Sequence, residues 1–143
     1  MSSWKSLVAI ACVINAVATS PTHSEAVIVN VPKIAGKNQA QVSKVIGKPK
    51  SCKQSKYGRK CIYTKADTEI VFIKGKADWI TINKMPGAKY DKSSLALLGF
   101  PVKTPTFANL NAMRWGNIPG FLEVSFFPEG SSISYAYIKT KTE

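Results

Sequence analysis

The sequence Ile46-Gly47-Lys48-Pro49 returns 52 residues later as Leu98-Gly99-Phe100-Pro101, and Tyr63 lies the same 52 residues before Trp115. Glu69-Ile70-Val71-Phe72-Ile73 then matches Glu123-Val124-Ser125-Phe126-Phe127 at a shift of 54, so a small insertion intervenes. Glycine suits the left-handed position just past a helix, and a following proline prevents the helix from resuming. A period near 50 residues built around such stops predicts two tandem units, about 33–84 and 88–140. A unit of that size buries too little apolar surface for a comfortable core of its own. The expected fold is therefore α+β: two tandem helix-then-three-strand modules forming one largely antiparallel sheet, with the helices on one face.

Periodicity supplies the elements. Val27, Ile28, Val29 and Val31 are β-branched and predict a short strand over 27–31 stopped by Pro32. Val42, Val45 and Ile46 fall at i, i+3 and i+4, predicting a helix over 38–46 closed by Gly47. Strands are expected at 62–64, 69–74 and 77–83, the last two forming a hairpin about Gly75. In that hairpin Ile70, Phe72, Ile80 and Ile82 share one face, while Val71, Ile73, Trp79 and Thr81 share the other. Asp91 caps a second short helix carrying Leu95 and Leu98. Strands over 112–115, 121–127 and 132–139 complete the second unit.

Residues 1–26 read as a secretory signal, with Lys5 before an apolar run over 7–18 that is too short to span a bilayer. Small-x-small cleavage sites occur at Ala16-Val17-Ala18 and Ser24-Glu25-Ala26; the second is favoured because the polar stretch before it then serves as the end of the leader. Cys12 ends a loose lipoprotein-like box that departs from the usual pattern at Ala9, so lipid attachment there is disfavoured. The expected mature chain is a single domain, 27–143, secreted or periplasmic, with no transmembrane segment. Export removes His23, the only histidine. It also favours a disulfide between Cys52 and Cys61, the two cysteines outside the leader.

Those cysteines bound the most basic stretch of the chain, Lys53-Gln54-Ser55-Lys56-Tyr57-Gly58-Arg59-Lys60. The formal net charge is +12, and no acid lies between Glu25 and Asp67, where ten basic residues fall. A one-sided positive field favours acidic partners. Lys53, Lys56, Arg59 and Lys60 are thus candidate anion-binding groups on a disulfide-closed loop, with Tyr57 able to stack on a base, a sugar or a guanidinium.

The chemistry expected of this chain is binding. Without histidine, and with both cysteines oxidised, a Ser-His-Asp or Cys-His arrangement and His/Cys zinc sites have no material. A carboxylate pair would suffice for a glycosidase. Structural roles account for the acids instead: Glu69 and Glu123 at outward strand positions, Asp78 and Glu129 near hairpin turns, Asp91 at a cap. No enzyme activity, metal or cofactor is expected.

A helix ending in a Gly-x-Pro break and followed by a β-meander, repeated in tandem after a signal peptide, resembles the β-lactamase-inhibitor-protein fold. Small outer-membrane lipoproteins of the β-barrel assembly machinery share that fold. The resemblance covers roughly residues 38–140; each unit here is shorter than the inhibitor's repeats. It implies an exported, non-catalytic binding protein whose open sheet face meets a partner, and it carries over no individual binding residue. On this chain that face would present Trp79 with Val71 and Ile73 as candidate protein-binding residues, Trp79 being substantially exposed. Another protein is thus the expected partner, and an acidic polymer (nucleic acid, polysaccharide or lipid head groups) held by the basic loop is the alternative.

Overall fold

The computed structural model describes residues 26–143. The signal peptide and cleavage sites expected over 1–26, Cys12 and His23 lie outside the described residues, apart from Ala26 itself. Eight strands form one antiparallel sheet: β1 (Ser51–Gln54), β2 (Arg59–Tyr63), β3 (Thr68–Ile73), β4 (Lys76–Ile82), β5 (Phe107–Ala108), β6 (Met113–Trp115), β7 (Phe121–Glu129) and β8 (Ser132–Thr140). Their spatial order is β1-β2-β3-β4-β8-β7-β6-β5. Each half of the chain thus contributes a four-strand meander, and the last strand of each pairs with that of the other at the centre of the sheet. The expected three strands per half become four because β1 and β5 are short edge strands. Neither shows the apolar alternation that marks a half-buried strand.

Helix α1 (Val31–Ile34) replaces the strand expected over 27–31. Pro32 is the reason: its missing N–H and fixed φ suit a first helical turn, and the Asn30 side chain caps that turn by accepting from the Lys33 amide. The apolar residues are buried as a strand's would be, with Val29, Val31 and Ile34 fully enclosed. Helix α2 (Gln39–Ile46) matches its expectation, with Asn38 and Gln41 in a reciprocal capping box and Gly47 at positive φ. The second helix, Lys92–Leu98, is 3-10 rather than α, capped by Asp91 and ended by Gly99 in the left-handed conformation. Leu95 and Leu98 are three residues apart, the spacing that a 3-10 helix brings onto one side, and both are fully buried.

Cross-strand register carries a core row through Cys61, Ile70, Ile80, Ile138, Val124 and Trp115. The buried side chains of both α helices and of the 3-10 helix Lys92–Leu98 join these residues in a single core. Among the described residues, the opposite sheet face is therefore left without a helix. The β3–β4 hairpin turns through Lys74 and Gly75, both at positive φ, as a two-residue turn between right-twisted strands requires. No described helix is long and apolar enough to cross a membrane.

Candidate functional site on the uncovered sheet face

The basic stretch between the cysteines is a hairpin rather than an open loop. Cys52 sits directly opposite Cys61, and Lys53 opposite Lys60; the disulfide joins the facing pair across a Cα separation of 4.1 Å. Alternation along β2 then divides the cations. Lys60 and Lys53 face the helix-free side. Arg59, one residue out of phase, turns to the helix side, where its Nε donates to Gln39 Oε1 of α2 at 3.1 Å. The four basic residues expected to act together are thus split three to one, with Lys56 at the tip. The Lys56 ammonium lies 5.4 Å from the Tyr57 ring centroid.

The tip is pressed onto the sheet. Gly58 has φ 153°, and a Cβ there would meet the Phe72 carbonyl oxygen at 2.2 Å. Only glycine permits so close a backbone approach. Ser55 closes the turn, its amide and hydroxyl both donating to the Gly58 carbonyl, at 2.8 and 2.6 Å. This geometry brings Tyr57 over Trp79, with ring centroids 4.9 Å apart and planes inclined at 44°.

Trp79 does stand on the helix-free face, cross-strand from Val71. It is half-buried rather than substantially exposed. The cover comes from Tyr57 of the stapled hairpin and from Lys139 of β8, whose ammonium lies 5.7 Å from the indole centroid. The indole N–H is buried and has no acceptor among the described residues. Buried donors nearly always have a partner, so an orphaned one calls for an explanation. Ile73 stands apart from this cluster: it lines a second depression with Asp78, Leu122 and Lys139. The expected Trp79–Val71–Ile73 patch is therefore divided.

Polar side chains complete the surface. Lys60 Nζ reaches Glu69 Oε1 at 2.8 Å, and Asn83 donates to the other carboxylate oxygen at 3.3 Å. The hydrogen bond from Lys60 holds the Glu69 carboxyl below its ordinary pKa, against the opposing effect of burial. Thr81 lies opposite Tyr137 of β8. Burial first, then the Glu123 and Asp78 carboxylates, raise the Tyr137 phenol above its ordinary value, so it stays protonated at neutral pH. Asp78, 2% exposed, accepts from Lys139 and Thr142. Arg114 faces Glu123 at 3.4 Å. Glu69, Asp78 and Glu123 are thus each ion-paired, whereas Lys53 and Lys56 have no acidic partner among the described residues.

A shallow cavity of about 310 Å³ opens between Tyr57, Trp79, Lys60, Glu69, Thr81 and Tyr137. The two surfaces read separately from the sequence, the basic hairpin and the tryptophan face, meet in it. Tyr137 and Lys139 escaped the sequence reading as site residues. Their signal was the alternation of Tyr135, Tyr137 and Lys139 with Ala136 and Ile138, which marks an outward face on a strand whose neighbours only the fold supplies. Among the described residues no cluster of His, Cys, Asp and Glu could hold a metal ion.

No family model matches the chain, and no curated protein matches it. Among solved structures it is similar to an extracellular protein containing a SCP domain from Bacillus anthracis str. Ames, at 8% sequence identity and a TM-score of 0.56. The similarity covers 99% of this chain and 51% of that one, so the chain spans about half the length of its structural neighbour. At such identity the likeness is one of fold alone.

Proposed function

We propose that this chain is an exported, non-catalytic binding module, built from two tandem helix-and-meander units, that works through its helix-free sheet face. The observation that carries the reading is the Tyr57–Trp79 pair on that face, held there by a disulfide and a glycine contact and leaving an indole donor without an acceptor. The Cys52–Cys61 bridge supports an oxidising compartment, secreted or periplasmic. The resemblance to the β-lactamase-inhibitor-protein fold supports the use of an open sheet. Glu69, Asp78, Glu123 and Glu143 are ion-paired and Asp91 caps a helix, and this supports binding rather than acid–base catalysis.

A protein partner was the first expectation from sequence. Protein-binding centres are typically apolar and depleted of charge. Here three ion pairs interrupt the face, Trp79 is half-covered, and Lys60 lines the cavity, with Lys53 cross-strand from it and Lys56 against the Tyr57 ring. That arrangement shifts the reading toward an acidic partner. Retention on the producing cell's envelope fraction tests the role of the face. We expect Tyr57→Ala with Tyr137→Ala to abolish retention, and Lys44→Gln with Lys48→Gln on the helix side to leave it unchanged. Equal loss from both pairs would remove the face from its role.

A further inference from the structure

We propose that the Tyr57–Trp79 cavity is a subsite for one acidic sugar residue of a carboxylate-bearing polysaccharide. The inference rests on the reading of the face as a binding surface and names its ligand. The cavity's volume, about 310 Å³, is at the lower end of small-ligand sites, roughly 300–1,000 Å³. It has room for a single ring rather than a folded peptide. Its walls combine what a sugar needs. Tyr57 and Trp79 offer apolar ring surface to axial C–H groups, while Thr81, Tyr137 and the Lys60–Glu69 pair present hydroxyl, cation and carboxylate to ring hydroxyls. The polar groups are fixed before a ligand arrives. Glu69 is held from two sides by Lys60 and Asn83, and Tyr137 is kept protonated as a donor.

The Trp79 indole N–H, in the wall of this cavity, is a buried donor with no acceptor among the described residues. Tyr57 covers Trp79 from an exposed position, its own side chain 56% accessible. A ligand oxygen reaching the indole edge would supply the acceptor that this donor lacks. The requirement for acid comes from charge. Lys53, cross-strand from the cavity-lining Lys60, and Lys56, 5.4 Å from the Tyr57 ring centroid, have no carboxylate partner among the described residues, and the chain carries a formal net charge of +12. A nucleic acid would answer the charge equally well. It would also need room for successive stacked bases, and the cavity, about 310 Å³, has room for a single ring.

The test uses the full chain with polygalacturonate, its methyl ester and poly(U) as probes, followed by calorimetry and tryptophan emission. Polygalacturonate should bind and shift the emission, and the methyl ester should bind at least about tenfold more weakly, since salt-sensitive contacts to carboxylates are lost. Tyr57→Ala should weaken binding about tenfold, the typical value of one stacking contact. Trp79→Phe keeps a ring without the N–H; it should weaken binding severalfold and abolish the emission shift. Lys53→Gln with Lys56→Gln should flatten the salt dependence. Absence of polygalacturonate binding, equal affinity for the methyl ester, or indifference to Tyr57→Ala would each overturn the proposal. Tighter, Tyr57-dependent binding of poly(U) would overturn it in favour of a nucleic acid. If polygalacturonate fails while envelope retention still depends on Tyr57 and Tyr137, the sugar assignment falls and the binding face stands.

Discussion

Tyr57 of the stapled hairpin packs its ring 4.9 Å from that of Trp79 on β4, twenty-two residues away in sequence and two strands across the sheet. That contact converts a basic hairpin and an aromatic sheet face into one surface. It also changes what substitutions there should do.

Trp79→Ala should destabilise the protein by about 1–2 kcal/mol, between a surface change and the roughly 3–5 kcal/mol of a core tryptophan truncation. The ring is half-buried on the face away from the main core, and its loss leaves Tyr57 and the Lys139 stem without a packing partner. Urea unfolding measures the difference. A loss above about 4 kcal/mol would place Trp79 in the core instead.

Gly58→Ala should be far more damaging than a turn substitution usually is. The added methyl would fall 2.2 Å from the Phe72 carbonyl oxygen, so the tip must lift from β3 and take Tyr57 with it. The expected result is a loss of about 2–3 kcal/mol together with a red-shifted Trp79 emission. Gly120→Ala is the control: its φ is also positive, but nothing lies within 4 Å of the added atom. It should cost only the backbone strain, about 1 kcal/mol.

Replacing both Cys52 and Cys61 by Ser should cost about 2.5–3 kcal/mol, the chain-entropy value for a loop of this size. The bridge closes a separation of nine residues at the edge of the sheet, where β1 has a neighbour on one side only. Hydrogen exchange should therefore show β1 losing protection while β4 and β8, at the centre, keep theirs. Uniform loss across the sheet would contradict this.

The Lys60–Glu69 pair predicts an acid-side loss of stability. The folded-state pKa of Glu69 is lowered, below an unfolded value of about 4.3. Its contribution is therefore fully present above that value and is lost as pH falls through the folded pKa. The pair is partly exposed, so the amplitude should be about 0.5–1 kcal/mol. Comparing wild type with Glu69→Gln by denaturant unfolding between pH 2 and 7 isolates it: the variant should be less stable at neutral pH and indistinguishable at the acid end.

Much of the fold is legible in short stretches of sequence, because local rules govern them. Asn38 and Gln41 cap α2, Gly47 and Gly99 end helices, and Lys74-Gly75 turns a hairpin, each through bonds and dihedrals within a few residues. Alternation placed Ile70, Phe72, Ile80 and Ile82 on one face and Trp79 on the other, because a strand's two faces are set by its own pleat. Where local signals compete, the reading failed. The run over 27–31 looked like a strand, but Pro32 and the Asn30 cap turned its end into α1, while burial of Val29, Val31 and Ile34 served the core equally well.

The site itself was decided in three dimensions. Cys52 and Cys61 indicated a closed segment, but only the pairing of β1 with β2 made it a hairpin, and pairing of β2 with β3 set which face Arg59 and Lys60 each take. Nothing local to Trp79 foretells Tyr57 above it or Lys139 beside it. Both arrive through the pairing of strands, one from the β1–β2 turn reaching across β3 and the other from β8 at the centre of the sheet. A sequence states which residues share a face of their own strand; which strands lie side by side depends on how the whole chain buries its apolar surface.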